Sequence, residues 1–458
     1  MTAVDGPARS GPAERPVLVP FPVVDEVARH CLQEEEPETI HIEIRLPGRP
    51  DPERLRRAFT GALRRHPRAQ VRQMPGPWYR RRYYWGLTGE PDPGVDVVTV
   101  PAPEPEALER ARERCLASAP PLSASPPVRL ELVADSERPG GTALFLTVNH
   151  TALDGLACLR ILATAAELYG GRGNAPAAPP VRASPGDRAG VAPGPSPWVP
   201  PARVARGTPS GRPGNGMLVA DLAVPRRPPG AAYTVNDQLL VATALTIAHW
   251  NQEHGAPPRP IRITMPVDDR PRGADMPIGN GTRLVEVPFT VAELASGERG
   301  AADRDLDALD ELLRRTADRT RALKAATRPQ LGYGMTLLTA PVVPVAWRAA
   351  LTRGLRRAAG PWTSTALLSN IGRIPYTLDF GDAGRADAVW VSAPARMPRG
   401  LSVTTASTAG RLQLSLRWST TLLARSDGAR LLELFEQFLH MTEVATSGNG
   451  RAKEGGPA

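Results

Sequence analysis

The first strict alternation along the chain is Ile40, Ile42, Ile44 and Leu46, each separated by a polar residue, and it predicts a strand. Asp51-Pro52 follows as cap and first turn, and Leu55, Phe59 and Leu63, spaced by four, predict a helix with one apolar stripe. Arg64-Arg65-His66-Pro67 ends it, because proline stops the helical ladder. A second alternation at Val128, Leu130 and Leu132, the turn Arg138-Pro139-Gly140-Gly141 and the run Thr142 to Asn149 predict two antiparallel strands. The outgoing strand is apolar on both faces, with Leu144, Leu146 and Val148 on one and Ala143 and Phe145 on the other, as a doubly covered central strand requires. It leads into Asp154-Gly155 and a helix from about Leu156 to Tyr169.

Residues 171–216 are rich in Pro, Gly and Ala with no apolar period, and read as a crossover between two lobes. Beyond it, Thr234-Val235-Asn236-Asp237 caps a helix reaching about Trp250, and a strand from Ile261 to Val267 ends on Asp268-Asp269-Arg270. A charged helix at about 303–326, strands at 363–371, 387–393, 400–408 and 411–419, and a closing helix at about 427–444 complete the pattern. The reading is a mixed α/β chain of layered α+β character, with lobes at 17–170 and 217–446 and loose tails at 1–16 and 447–458.

Composition narrows the function classes. A net charge of +9 raises nucleic acid as a partner, but the arginines are scattered and aromatics are only 5%, so no basic patch interleaved with stacking rings is present. The Arg-rich surface suits acidic partners such as a carrier domain or the phosphates of coenzyme A. Cys31, Cys115 and Cys158 have neither disulfide nor zinc spacing, no apolar run has the length of a membrane span, and the amino-terminal segment lacks a signal-peptide core. These features predict a cytoplasmic protein.

The chemistry concentrates in Asn149-His150-Thr151-Ala152-Leu153-Asp154-Gly155. A histidine at the end of a buried strand is carried beyond the sheet, and its proton affinity suits removing a proton from an alcohol or amine near neutral pH. Gly155 permits a close or unusual backbone turn. No Ser or Cys elbow lies beside His150, so direct attack by an acceptor on an activated acyl donor is simpler than a covalent intermediate. His66 reads as a structural cap, and His249 and His254 lack the partners of a metal site, so no metal is expected. Asp268 and Asp269 face opposite ways as strand neighbours and read as turn or surface acids.

Asn149 to Gly155 resembles the HHxxxDG motif of the condensation-domain and chloramphenicol-acetyltransferase-like acyltransferase superfamily. The resemblance runs from about residue 36 to 444. Leu46 to Arg72 is similar to the family's opening strand, helix and RHPxLR segment, and Thr234 to Asp237 to the start of its second lobe. Met265 to Arg270 and Ile278-Gly279-Asn280 are similar to its PVxxR and IGN segments, and Leu368 to Pro375 with Leu378 to Gly381 to its SNxG strand and DFG loop. Asn149 stands where the double-histidine form has its first histidine, a position turned to the other side of the strand, so a buried amide can serve there. Asp382-Ala383 stand where the plant-type enzymes have Trp-Gly, which favours the bacterial condensation-like branch.

The resemblance implies two similar lobes in a V around a central tunnel, with His150 midway as general base. It implies that Asp154 turns away into a structural ion pair, with Arg270 the leading partner and Arg68, Arg72 and Arg373 as alternatives. Gly155 would act through its backbone, and Ser369 and Asn370, with Asn149, are candidates for substrate or oxyanion contacts. The implied enzyme is a monomeric acyltransferase with no bound cofactor, taking acyl-coenzyme A or a phosphopantetheinyl carrier-protein thioester as donor and an amine or alcohol as acceptor, in natural-product biosynthesis. The alternatives are a coenzyme-A-dependent O-acyltransferase of a lipid or alcohol, and a catalytically inactive scaffold.

Overall fold

The computed structural model describes residues 16–173, 198–209, 211–271, 275–303, 306–326, 330–331 and 333–448. Most of both expected tails and the middle of the crossover lie outside the described residues. Residues 447 and 448 close the last helix, Arg425–Gly448, and so are not part of a tail. The later part of the crossover is packed rather than loose. Ala202 and Val204 are buried in a core, and the Arg203 guanidinium donates to the carbonyls of Gly360, Thr363 and Pro398.

Beside a small sheet of Val17–Pro20, Tyr84–Leu87 and Val71–Gln73, two larger sheets and their two main hydrophobic cores divide the chain into lobes. The first sheet has the strand order Ala388–Ser392, Thr39–Leu46, Thr142–Asn149, Val128–Ala134 and Val98–Thr99. Its central strand Thr142–Asn149 is buried throughout. Leu144, Leu146 and Val148 face the helices Pro52–Arg65 and Gly155–Gly170, while Ala143 and Phe145 meet Leu108, Ala111 and Cys115 of Ala107–Ala117. The second sheet runs Thr282–Phe289, Ile261–Asp268, Ala366–Arg373, Leu401–Thr408, Arg411–Ser419 and Asn215–Ala223. Its core is covered by Val235–Glu253 and the carboxy-terminal helix.

One strand corrects the expected division at residue 217. Ala388–Ser392 pairs antiparallel with Thr39–Leu46 and puts Val389 and Val391 into the first core, although its flanking strands belong to the second sheet. The edge of Thr39–Leu46 would otherwise be left open, and Ala388–Ser392 covers it. Trp390 of this strand donates its indole N–H to the Ala220 carbonyl at 2.9 Å, which ties the inserted strand back to the second lobe. Arg417, fully buried, also crosses between lobes, donating to the carbonyls of Thr39 at 2.8 Å and Pro37 at 3.1 Å.

The buried face beside Phe145 holds His41, stacked on that ring at 5.6 Å with neither ring nitrogen hydrogen-bonded. Burial pushes its pKa down to about 4, and burial with Arg348 nearby does the same to His30. An unfolded histidine titrates near about 6.5, so the unfolded chain binds more protons than the folded one between that value and the folded one. The associated stability is complete above the unfolded value and is lost as pH falls toward 4, at up to about 3 kcal/mol per histidine. We expect the urea midpoint to fall clearly between about pH 7 and about pH 5, and His41→Leu to reduce that slope; equal midpoints in the wild type would contradict the assignment.

Candidate active site

The strand Thr142–Asn149 delivers its last residue to a tight turn ahead of the helix Gly155–Gly170. The Asn149 amide donates to the Pro120 carbonyl at 3.1 Å and accepts from the Thr151 N–H at 3.1 Å, so it holds the turn from within. The histidine follows. Its backbone N–H donates to the Glu38 carbonyl at 2.9 Å, and its ring Nδ1 lies 3.1 Å from the Leu153 carbonyl oxygen. A carbonyl can only accept, so this contact places the ring hydrogen on Nδ1 and leaves the lone pair on Nε2. No described residue hydrogen-bonds Nε2. The imidazole is thus half-buried and oriented, in the tautomer a base needs.

Asp154 points elsewhere. As N-cap of the following helix it accepts from the Ala157 N–H at 2.9 Å through Oδ1. Its Oδ2 accepts from the Arg270 guanidinium at 2.7 Å and from the Gly281 N–H at 2.9 Å. Arg270 is therefore the arginine that pairs with Asp154. Of the alternatives, Arg68 pairs with Asp25 at 2.7 Å and Arg72 with Asp92 at 2.7 Å, while Arg373 is exposed. Arg270 is itself held by Asp268 at 2.9 Å, with the Asp268 side chain only 4% exposed. This corrects the surface reading of Asp268; Asp269, its neighbour, does turn outward, to Arg283 at 2.6 Å.

The segment Ile278 to Gly281 latches the second lobe onto this turn. The Asn280 side-chain amide donates to Asp25 at 2.9 Å, to the His150 carbonyl at 3.1 Å and to the Thr151 carbonyl at 3.0 Å. Gly281 cannot carry a side chain, because a Cβ would stand 2.2 Å from Arg270 Nε. Asp25, fully buried, is reached by Arg68, by the Trp85 indole at 2.8 Å and by Asn280. Asp25, Trp85, Asp268 and Gly281 were not identified as site residues from sequence.

Gly155 departs from its expected role as an unusual turn. Its φ is not positive, and a Cβ would meet Val391 at 3.7 Å and Ile371 at 4.0 Å, which is ordinary contact. What the glycine leaves is space between the inserted strand and Ala366–Arg373, where the two lobes meet. The Gly155 and Leu156 N–H groups, first in the helix, donate to no described group. Ser369 and Asn370 separate by strand parity. Asn370 binds Asn236 at 3.4 Å, Thr405 at 3.2 Å and the Gly372 N–H at 2.9 Å, within the second lobe. Ser369 lies on the same side of the strand as Leu367, ahead of the irregularity between Asn370 and Gly372, and has no described hydrogen-bond partner.

His66 binds Thr164 at 2.8 Å and caps its helix, and among the described residues no group of His, Cys, Asp and Glu could hold a metal ion. Cys158 lies one turn beyond Asp154, and burial pushes its thiol well above the ordinary range, so it is no ready nucleophile. A cleft of about 950 Å³ ends at Asn149 and Glu38, and is walled by Arg29, Gln33, Arg72 and Met74.

The fold so described is similar to that of a solved O-acetyltransferase and a solved condensation domain. The TRI3 trichothecene 15-O-acetyltransferase from Fusarium sporotrichioides superposes with a TM-score of 0.64 at 12% identity, over 95% of this chain and 97% of that one. The condensation domain of the monacolin K polyketide synthase MokA gives 0.58 at 15% identity, over 94% and 98%. In sequence, uncharacterized proteins of two Mycobacterium tuberculosis strains, CDC 1551 and H37Rv, are each 28% identical over 389 residues, 78% of this chain and 84% of theirs. No family model matches the chain. Among the described residues no helix is long and apolar enough to cross a membrane.

Proposed function

We propose that the chain is an acyltransferase of condensation type, moving an acyl group from a thioester to an amine or alcohol with His150 as general base. The observation that carries this is the Nδ1 contact to the Leu153 carbonyl, which orients the ring and keeps the lone pair on an uncommitted Nε2. Nε2 takes the acceptor's proton as its oxygen or nitrogen attacks the thioester carbonyl. The tetrahedral intermediate collapses, the carbon–sulfur bond breaks, and the imidazolium returns the proton to the leaving thiolate.

The free N–H groups of Gly155 and Leu156, at the positive end of a helix, suit the oxyanion of that intermediate, and Ser369 is a second candidate donor. Asn149 and Asn370 serve the framework in this reading, since their amides are engaged inside the protein. The donor is acyl-coenzyme A or an acyl carrier protein, with no bound cofactor, because the thioester supplies the driving force. The fold likeness to an O-acetyltransferase and to a condensation domain is compatible with this reading, and the screen below distinguishes ester from amide products.

The test is a mass-spectrometric screen of acyl-coenzyme A and acyl-carrier thioesters against mixed amines and alcohols. Acylated acceptor above the rate in buffer is expected. Absence of transfer from every thioester, by a chain with a normal melting transition, would favour a scaffold instead.

A further inference from the structure

The helix Val345–Ala358 buries Val345 but turns its larger apolar residues away from the core. Arg348, Ala349 and Thr352 are buried, with Arg348 paired to Glu26 at 2.8 Å, while Trp347, Leu351 and Leu355, spaced by four, form a ridge in solvent. Trp347 is 66% exposed. The ridge is part of a wider face. Leu337 and Val342 just before it are 78% and 74% exposed, and the Val345 N–H donates to the Arg80 carbonyl at 2.8 Å, which brings in the loop bearing exposed Trp78 and Tyr79. Contiguous exposed apolar surface of this kind marks an interaction site, and tryptophan and tyrosine at its rim are the residues that settle at a membrane–water boundary.

Charge makes the choice of partner. There is no Asp or Glu between Glu53 and Glu90, nor between Asp318 and Asp379, the two stretches that carry the exposed apolar residues; Glu34 and Glu35, which follow Gln33, are the acids adjoining this face in sequence. Arg81, Arg353 and Arg357 meet no carboxylate among the described residues. Arg353, Arg356 and Arg357 line a cavity of about 350 Å³ with Leu32, Gln33 and Met397, and no acidic side chain lines it. Three guanidinium groups lining one cavity, of which only Arg356 has a recorded hydrogen bond there, to the Met397 carbonyl at 3.4 Å, suit an anion, and phosphate is the group their fork geometry fits.

We propose that this face docks on the surface of a bilayer containing anionic phospholipid. Trp347, Leu351 and Leu355 enter the headgroup and acyl boundary while Arg353 and Arg357 hold lipid phosphates, as an amphipathic helix with flanking arginines does. A solvent-exposed ridge of tryptophan and leucine needs an apolar medium, which an acidic protein surface does not supply. The proposal stands whatever the thioester donor is.

The full chain is sedimented with sucrose-loaded vesicles of phosphatidylcholine alone and of phosphatidylcholine with an equal part of phosphatidylglycerol. Binding to the mixed vesicles only, weakening with salt, is expected. Arg353→Gln with Arg357→Gln should weaken it about 30-fold, at one elementary charge each. Trp347→Ser with Leu351→Ser should weaken it by at least about tenfold, and the arginine pair keeps the test alive if that variant unfolds. Equal binding by the arginine variant, or no binding to either vesicle, overturns the proposal. So does a dimer in solution that Trp347→Ser with Leu351→Ser dissociates, or capture of an acidic carrier protein by this face when vesicles are not bound.

Discussion

His150→Ala lowers acyl transfer by about 10²- to 10⁴-fold, the range a positioned general base contributes, while the melting temperature stays within a few degrees of the wild type. The split between the two readouts follows from the contacts. Among the described residues the ring is hydrogen-bonded only through Nδ1 to the Leu153 carbonyl, whereas the turn is held by main-chain and Asn149 bonds that alanine leaves in place. His150→Gln keeps a donor for Leu153 but brings no comparable base, so it should be as slow as alanine. Turnover equal to the wild type in either variant would remove His150 from the chemistry.

The larger effect on stability belongs to Arg270. Replacing it by methionine leaves Asp154 and Asp268, both nearly inaccessible, without their shared cation, and breaking a buried pair in this way costs about 3–5 kcal/mol. The melting temperature should drop accordingly, and activity with it, because the same guanidinium holds the carbonyls of Pro277 and Gly279 in the segment that binds the His150 turn. Adding Asp154→Asn to Arg270→Met should recover part of the loss, since asparagine still caps the helix without a stranded charge. Gly281→Ala offers an independent route to the same defect, by driving a methyl group into Arg270. An Arg270→Met chain as stable as the wild type, by thermal melting, would show that the ion pair is incidental.

The strand, turn and helix around His150 were legible because each rests on neighbours in the chain: a doubly apolar run, an Asp cap and a helical period. Asp25 was not, because its helix Val23–His30 is eight residues long with no capping side chain, and its partners Arg68 and Asn280 are 43 and 255 positions away. An acid read in isolation looks like surface. Asp268 was misplaced for a related reason. Parity already put one of the two adjacent acids inward, but only the position of Arg270 shows which one. Ser369 and Asn370 repeat the lesson, as neighbours on one strand that serve different sides of it. The strand at 387–393 was recognised as a strand, yet nothing local in Ala388–Ser392 indicates which sheet it joins.

That inserted strand has a consequence for how the protein is made. When the ribosome has completed Asn149, the first sheet has its central strand but not its edge, and it stays unfinished until Ser392 emerges, after most of the second half has been synthesised. During that interval the backbone of Thr39–Leu46 is an open template for pairing with other nascent chains. Splitting the chain in the crossover would leave the first piece without its edge strand, and would leave Ala388–Ser392 in the second piece without the strand it pairs with.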